Sequence, residues 1–193
     1  DICLKHNVKI VSDEIHSDFV YPENKHIVFS SLDEKYQNIT ITCTAPTKTF
    51  NLAGLIGSYH IIYNEALRDR VEARGSKSHY NEMNVLSMHA LIGAYKQEGY
   101  EWVDELCQVL TENVRFACDY IKEHFDEVEV SKPQGTYMLF LDCTQWCEDH
   151  GQSMDELLQA GWDVGVGWQD GRPFHGKHHI RMNLALPKCR VTE

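Results

Sequence analysis

Residues 39–51 read Ile39-Thr40-Ile41-Thr42-Cys43-Thr44-Ala45-Pro46-Thr47-Lys48-Thr49-Phe50-Asn51. The first five, ITITC, form a short β-rich run of strand character. Residues 44–48 then read as a loop, with Pro46 as its punctuation. Lys48 closes that loop. A lone lysine is ordinarily a solvated surface residue. This one sits among small and hydroxyl residues, with Gly54 and Gly57 close behind, a setting that lets a lysine approach a phosphate-bearing ligand. Working outward, residues 8–13 (VKIVSD) and 58–63 (SYHIIY) are further β-rich runs. The earlier run reads as a buried parallel strand. Strands alternating with loops and helices predict an α/β sheet, in which active sites collect at strand ends.

Three more segments stand out. Ser12-Asp13-Glu14-Ile15-His16-Ser17-Asp18 directly follows a predicted strand, where carboxylates are also common for purely structural reasons. Pro133-Gln134-Gly135-Thr136-Tyr137 reads as a turn into an edge strand. His179-Ile180-Arg181-Met182-Asn183-Leu184 places an arginine inside an apolar strand. Such a charge is costly unless it meets an anion, either a structural ion-pair partner or a ligand.

The remaining pattern supplies helices. Residues 2–6 look like the last turn of a helix stopped at Asn7, so the chain opens inside an element and is expected to be a fragment. Helices are predicted over 65–74, 81–97 and 101–124. In the last, Val103, Leu106, Val109, Leu110, Val114, Phe116 and Ile121 form a broadly apolar face that reads as core. Strands over 128–130, 136–141 and 179–184, with a helix near 153–160, are α+β in character. They suggest a smaller second lobe from about residue 90, dividing the chain into 1–90 and 91–193.

Composition narrows the classes. Of 193 residues, 42% are hydrophobic and 24% charged, which is the balance of a globular protein. The formal net charge of −11 disfavours nucleic acid as a partner. No stretch approaches the ~20 apolar residues of a membrane span, and no basic, apolar leader opens the chain. The seven cysteines are odd in number and scattered. Only Cys143 and Cys147 lie close together, with no second pair of matching spacing. No metal site is expected, and reduced thiols point to a cytoplasmic protein.

Taken in order and spacing, the four segments resemble the fold-type I, class I and II aminotransferases that use pyridoxal 5′-phosphate (PLP). Asp13-Glu14-Ile15-His16 followed by Pro46-Thr47-Lys48-Thr49-Phe50-Asn51 is most similar to the MalY/PatB-type cystathionine β-lyases. The resemblance covers essentially the whole chain. It implies the C-terminal part of a PLP-binding large domain, with a mixed or parallel sheet, followed by a small α+β domain. It implies that Lys48 holds the PLP aldehyde and moves protons. Asp13 would pair with the pyridine nitrogen, and His16 would stand where many relatives place a tyrosine near the phenolic oxygen. Thr47 would contact the phosphate, and Arg181 would grip the substrate α-carboxylate. Two positions depart from the family pattern. Ile56 stands where many aminotransferases carry a phosphate-binding arginine, and Ala45 where several have serine. The glycine-containing phosphate loop, the ring-stacking aromatic and the asparagine that binds the phenolic oxygen normally precede the Asp13 segment and have no counterpart in this chain.

The chemistry agrees with the residue types. An aldehyde cofactor needs an amine. Its ring nitrogen stays protonated beside a carboxylate. An amino-acid carboxylate is oriented by a bidentate arginine. The resemblance therefore implies β-elimination from cystathionine-like amino acids, with an aminotransferase as the alternative and a non-catalytic binding domain as the rival from another class. It also implies a small amino-acid substrate and a homodimer.

Overall fold

The protein is described by a computed structural model covering residues 1–80 and 82–193. The helix expected over 81–97 begins at Asn81, which lies outside the described residues. The chain divides into two compact units, Asp1–Asp104 and Glu105–Glu193.

The first unit opens with α1 (Ile2–Lys5) and β1 (Ile10–Asp13). Asn7 stands between them at φ 52°, the left-handed conformation that asparagine tolerates and that ends a helix. A 3₁₀ turn at Phe29–Ser31 and α2 (Glu34–Gln37) lead into β2 (Thr40–Thr44), then α3 (Pro46–Thr49) and β3 (Tyr59–Ile61). The sheet order is β1-β2-β3. β1 and β2 are parallel, with Asp13 opposite Cys43. β2 and β3 are antiparallel, with Thr44 opposite Tyr59. The sheet is thus mixed, as expected. β1 is parallel but not buried: among the described residues it has a strand partner on one side only, and Val11 is 67% exposed. The stretch expected to be a loop before Lys48 is a helical turn. Pro46 sits at its start, where a missing N–H costs nothing and the fixed φ suits a helix.

α4 (Glu65–Ser78) and α5 (Val85–Ala94) follow. The Asn64 and Asn84 side chains cap them by accepting from Leu67 N and Ser87 N, each at 2.9 Å. α6 (Gln97–His124) begins four residues earlier than the sequence suggested, and the division between the two units falls within it.

The second unit adds β4 (Glu129–Val130), β5 (Met138–Asp142), α7 (Thr144–His150), α8 (Met154–Asp163), β6 (Gln169–Asp170), β7 (His179–Asn183) and α9 (Lys188–Val191). A 3₁₀ turn at Arg172–Phe174 joins β6 to β7. The sheet order is β4-β5-β7-β6, antiparallel throughout. β5 is therefore an interior strand, paired on both sides, and not the edge strand expected after Pro133. The turn between β6 and β7 is tight enough that a Cβ on Gly171 would lie 2.4 Å from the His179 carbonyl oxygen.

Leu110, Val114, Ala117, Cys118 and Ile121 of α6 are buried in this unit, as are Leu139, Leu141, Ile180, Cys143, Cys147, Met154 and Leu157. Two positions of α6 reverse the expected face. Val109 is 42% exposed, whereas the polar Asn113 is fully buried. The reason is hydrogen bonding. Asn113 Nδ2 donates to the Leu184 and Leu186 carbonyls at 3.0 and 2.8 Å, tying α6 to the chain just beyond β7.

Candidate active site

Parallel strands send their following loops to the same edge of a sheet. β1 and β2 therefore deliver the Asp13 turn and the Lys48 turn to one edge of the first unit's sheet. Asp13 ends β1 in register with Cys43, and Lys48 lies five residues beyond Cys43. Desolvation, with Asp13's charge adding to it, pushes the Cys43 thiol pKa up, an electrostatic sign that the two side chains are close. At the same end of β2, Tyr59 lies opposite Thr44.

The turn after Asp13 is locked by its neighbour. Glu14 is buried, and its carboxylate accepts from His26 Nε2 at 2.8 Å, Phe29 N at 3.0 Å and Ser12 Oγ at 2.9 Å. Burial alone would raise its pKa. The donors from His26, Phe29 and Ser12 outweigh burial and hold the carboxyl below its ordinary value. Asp13 itself is exposed. One of its oxygens accepts from Ile15 N at 3.2 Å, and the other has no protein donor among the described residues. Three residues on, His16 is half-buried with its ring 5.7 Å from that of Phe19.

The lysine turn has the same division of labour. Pro46 and Thr49 are buried, Thr47 is half-buried and Lys48 is exposed. Thr49 Oγ1 donates to Asp18 Oδ2 at 2.6 Å. Phe50 meets Tyr95 edge to face at 5.3 Å, and the Tyr95 and Tyr59 hydroxyls are 3.0 Å apart. Burial, the Tyr59 bond and nearby charge, Asp18's included, push the Tyr95 hydroxyl pKa up. The Lys48 ammonium itself has neither a hydrogen bond nor an ion pair among the described residues.

Arg181 belongs to the second unit, in the middle of β7. Its Nη1 donates to Gln169 Oε1 at 2.9 Å, and its guanidinium lies 4.8 Å from the Phe174 ring centroid. The structural ion pair that could have explained this arginine does not exist among the described residues, since Arg181 meets no carboxylate. Arg172 is the contrast. It is held by Asp170 and Asp155 at 2.9 and 2.6 Å.

The structure thus brings Asp13, His16, Thr47 and Lys48 to one end of the first unit's sheet and places Arg181 in the second unit. Ala45 is buried, and Ile56 is 81% exposed. Sequence reading missed Asp18, Thr49, Tyr59 and Tyr95. Asp18 and Thr49 lay inside the quoted motifs, but nothing in either segment announced that they would meet.

Among the described residues, no group of three or more His, Cys, Asp or Glu is arranged to hold a metal ion, and no helix is long and apolar enough to cross a membrane. The family model for aminotransferase class I and II matches residues 1–193. The chain belongs to that family.

Curated relatives of this aminotransferase-family chain include the cystathionine beta-lyase PatB of Bacillus subtilis (strain 168), 33% identical over 83% of the chain and 41% of the relative. Protein MalY of Escherichia coli (strain K12) is 31% identical over the whole chain and 48% of its own length. A PLP-bound structure from Clostridium difficile 630, assigned as an aminotransferase, superposes with a TM-score of 0.91 at 37% identity. That match covers all of this chain and 49% of the other. The chain spans about half the length of the curated relatives it matches. The matched fold is the one expected, an α/β aminotransferase architecture with a mixed sheet.

Proposed function

We propose that this chain contributes to a PLP-dependent C–S β-lyase acting on cystathionine-like amino acids. The observation that carries the proposal is a set of charges that meet no opposite charge among the described residues. Lys48 offers a free amine, Asp13 a carboxylate with a free oxygen, and Arg181 a guanidinium with no acid. That donor set fits PLP. Lys48 Nζ would hold the aldehyde, Asp13 would stabilise the protonated pyridine nitrogen, His16 would stand near the ring, and Thr47 would contact the phosphate. When bound, PLP supplies an electron-accepting ring that stabilises the negative charge left on the substrate α-carbon.

The chain's own groups do the rest. Arg181 fixes the substrate α-carboxylate through two parallel N–H···O bonds, which orients the α-carbon. Lys48 Nζ removes the α-proton. Loss of a thiolate from the β-carbon follows, and hydrolysis yields pyruvate and ammonia. The similarity to PatB supports the lyase over other reactions. Transamination is the second reading, favoured by the likeness to the Clostridium difficile structure. In that case Lys48 would give its proton back and the bond to the β-carbon would stay intact.

Residues 1–90 are assigned to the cofactor-binding part and 91–193 to the small domain. The same reading implies a cytoplasmic homodimer. The deciding experiment supplies cystathionine to the full-length protein with PLP, in the presence and absence of a keto acid. Pyruvate and thiol release without a keto acid supports the lyase. Amino-group exchange that requires the keto acid, with no thiol released, contradicts it.

A further inference from the structure

α3 is a single helical turn, too short to hold its own position by helix propensity. Contacts with the rest of the fold must therefore set where Lys48 stands. Its neighbours show how. Thr49 is 2% exposed, and its hydroxyl donates to Asp18 at 2.6 Å. Asp18 follows Asp13 by five residues, and Lys48 follows Asp13's register partner Cys43 by five. The bond thus joins the two turns that leave adjacent parallel strands, 31 residues apart in sequence. The next residue, Phe50, is seated against Tyr95. The two residues that directly follow Lys48 are thus anchored, while its own amine remains free.

We propose that Asp18 and Thr49 form a positioning pair, whose hydrogen bond holds the Lys48 turn against the Asp13 turn so that one flat cofactor can meet both side chains. This inference rests on the PLP reading above. Asp18 is exposed, so removing the buried Thr49 hydroxyl together with the bond, as in Thr49→Val, strands no buried donor and costs the fold little. The same break releases the turn that must hold Lys48 in register, and small misplacements of a reacting group are costly.

The test uses the full-length protein and three single variants, Thr49→Val, Thr49→Ser and Asp18→Ala, with the double variant of Thr49→Val and Asp18→Ala. PLP affinity is measured by absorbance titration of the apo-protein, and melting temperature is measured on the same apo samples. Thr49→Val keeps the buried shape and loses the donor. It and Asp18→Ala are each expected to weaken PLP binding by about tenfold or more. The double variant should be no weaker than either single one. Thr49→Ser should restore affinity to within about threefold of the parent, and the apo melting temperatures should agree within a few degrees. Unchanged PLP affinity in Thr49→Val, in a parent that carries PLP on Lys48, overturns the positioning pair alone. Loss of affinity that follows a fall in melting temperature and is not rescued by serine makes the bond an ordinary fold contact and also overturns it. A parent that takes up no PLP on Lys48 overturns the PLP reading and this inference with it.

Discussion

At the scale of single residues, the distinction that matters is between charges already neutralised and charges left open. Glu14 and Arg172 are both saturated, the first by three donors and the second by two carboxylates. Asp13, Lys48 and Arg181 are not. Asp13→Ala in the full-length protein should leave PLP held by Lys48, because the ring nitrogen takes no part in aldehyde chemistry. It should slow α-proton removal on the order of 10²-fold if the charge pair supplies ~3 kcal/mol in the transition state. Single-turnover absorbance, normalised to bound PLP, checks this, and an unchanged rate would remove Asp13 from the site. Arg181→Ala should raise KM for the amino acid by roughly 10²-fold, the loss of a charge-assisted bidentate pair, while PLP affinity stays put. Steady-state kinetics beside a PLP titration separates the two, and loss of PLP in this variant would make Arg181 structural. These three residues could be singled out in the sequence as candidates, because their types stand at the ends or interior of strands. Thr49 and Asp18 were not, because pairing across 31 residues exists only once β1 and β2 are side by side.

At the scale of elements, the segment between β1 and α2 is organised around the Glu14 carboxylate, and its protonation should be felt in stability. The folded-state pKa lies below the ordinary 4.5. Its contribution is therefore fully present above the unfolded value and is lost as pH falls through the folded value. The melting temperature of the parent should drop more steeply below about pH 4.5 than that of Glu14→Gln, and the two curves should run parallel above about pH 6. Curves that stay parallel throughout acid titration would show that Glu14 contributes nothing to the lock. Periodicity and composition revealed β1, β2, β5, β7 and most of α6, because each is a run of β-rich or helically spaced apolar residues. They failed where tertiary bonding decides. Asn113 took a core place through the Leu184 and Leu186 carbonyls. Pro46 started a turn that its neighbours alone suggested was a loop. α7 (TQWCEDH) and the two-residue β6 carry too few apolar positions to declare a period.

At the scale of the whole molecule, motif order did what no single motif could. A strand-end acid, a strand-end lysine and a strand arginine are each commonplace, yet their succession matched one family along residues 1–193. The chain covers about half the length of its curated relatives, so the proposed reaction is to be measured on the full-length protein. The central claim is that Lys48 is the residue that takes the cofactor. Its most direct test is borohydride reduction of the PLP-loaded full-length protein, followed by protease digestion and mass mapping. The pyridoxyl group is predicted on the peptide containing Thr47, Lys48 and Thr49, with Lys48→Ala leaving no stoichiometric label. Stoichiometric label on any other lysine, or none on the parent protein, would contradict it.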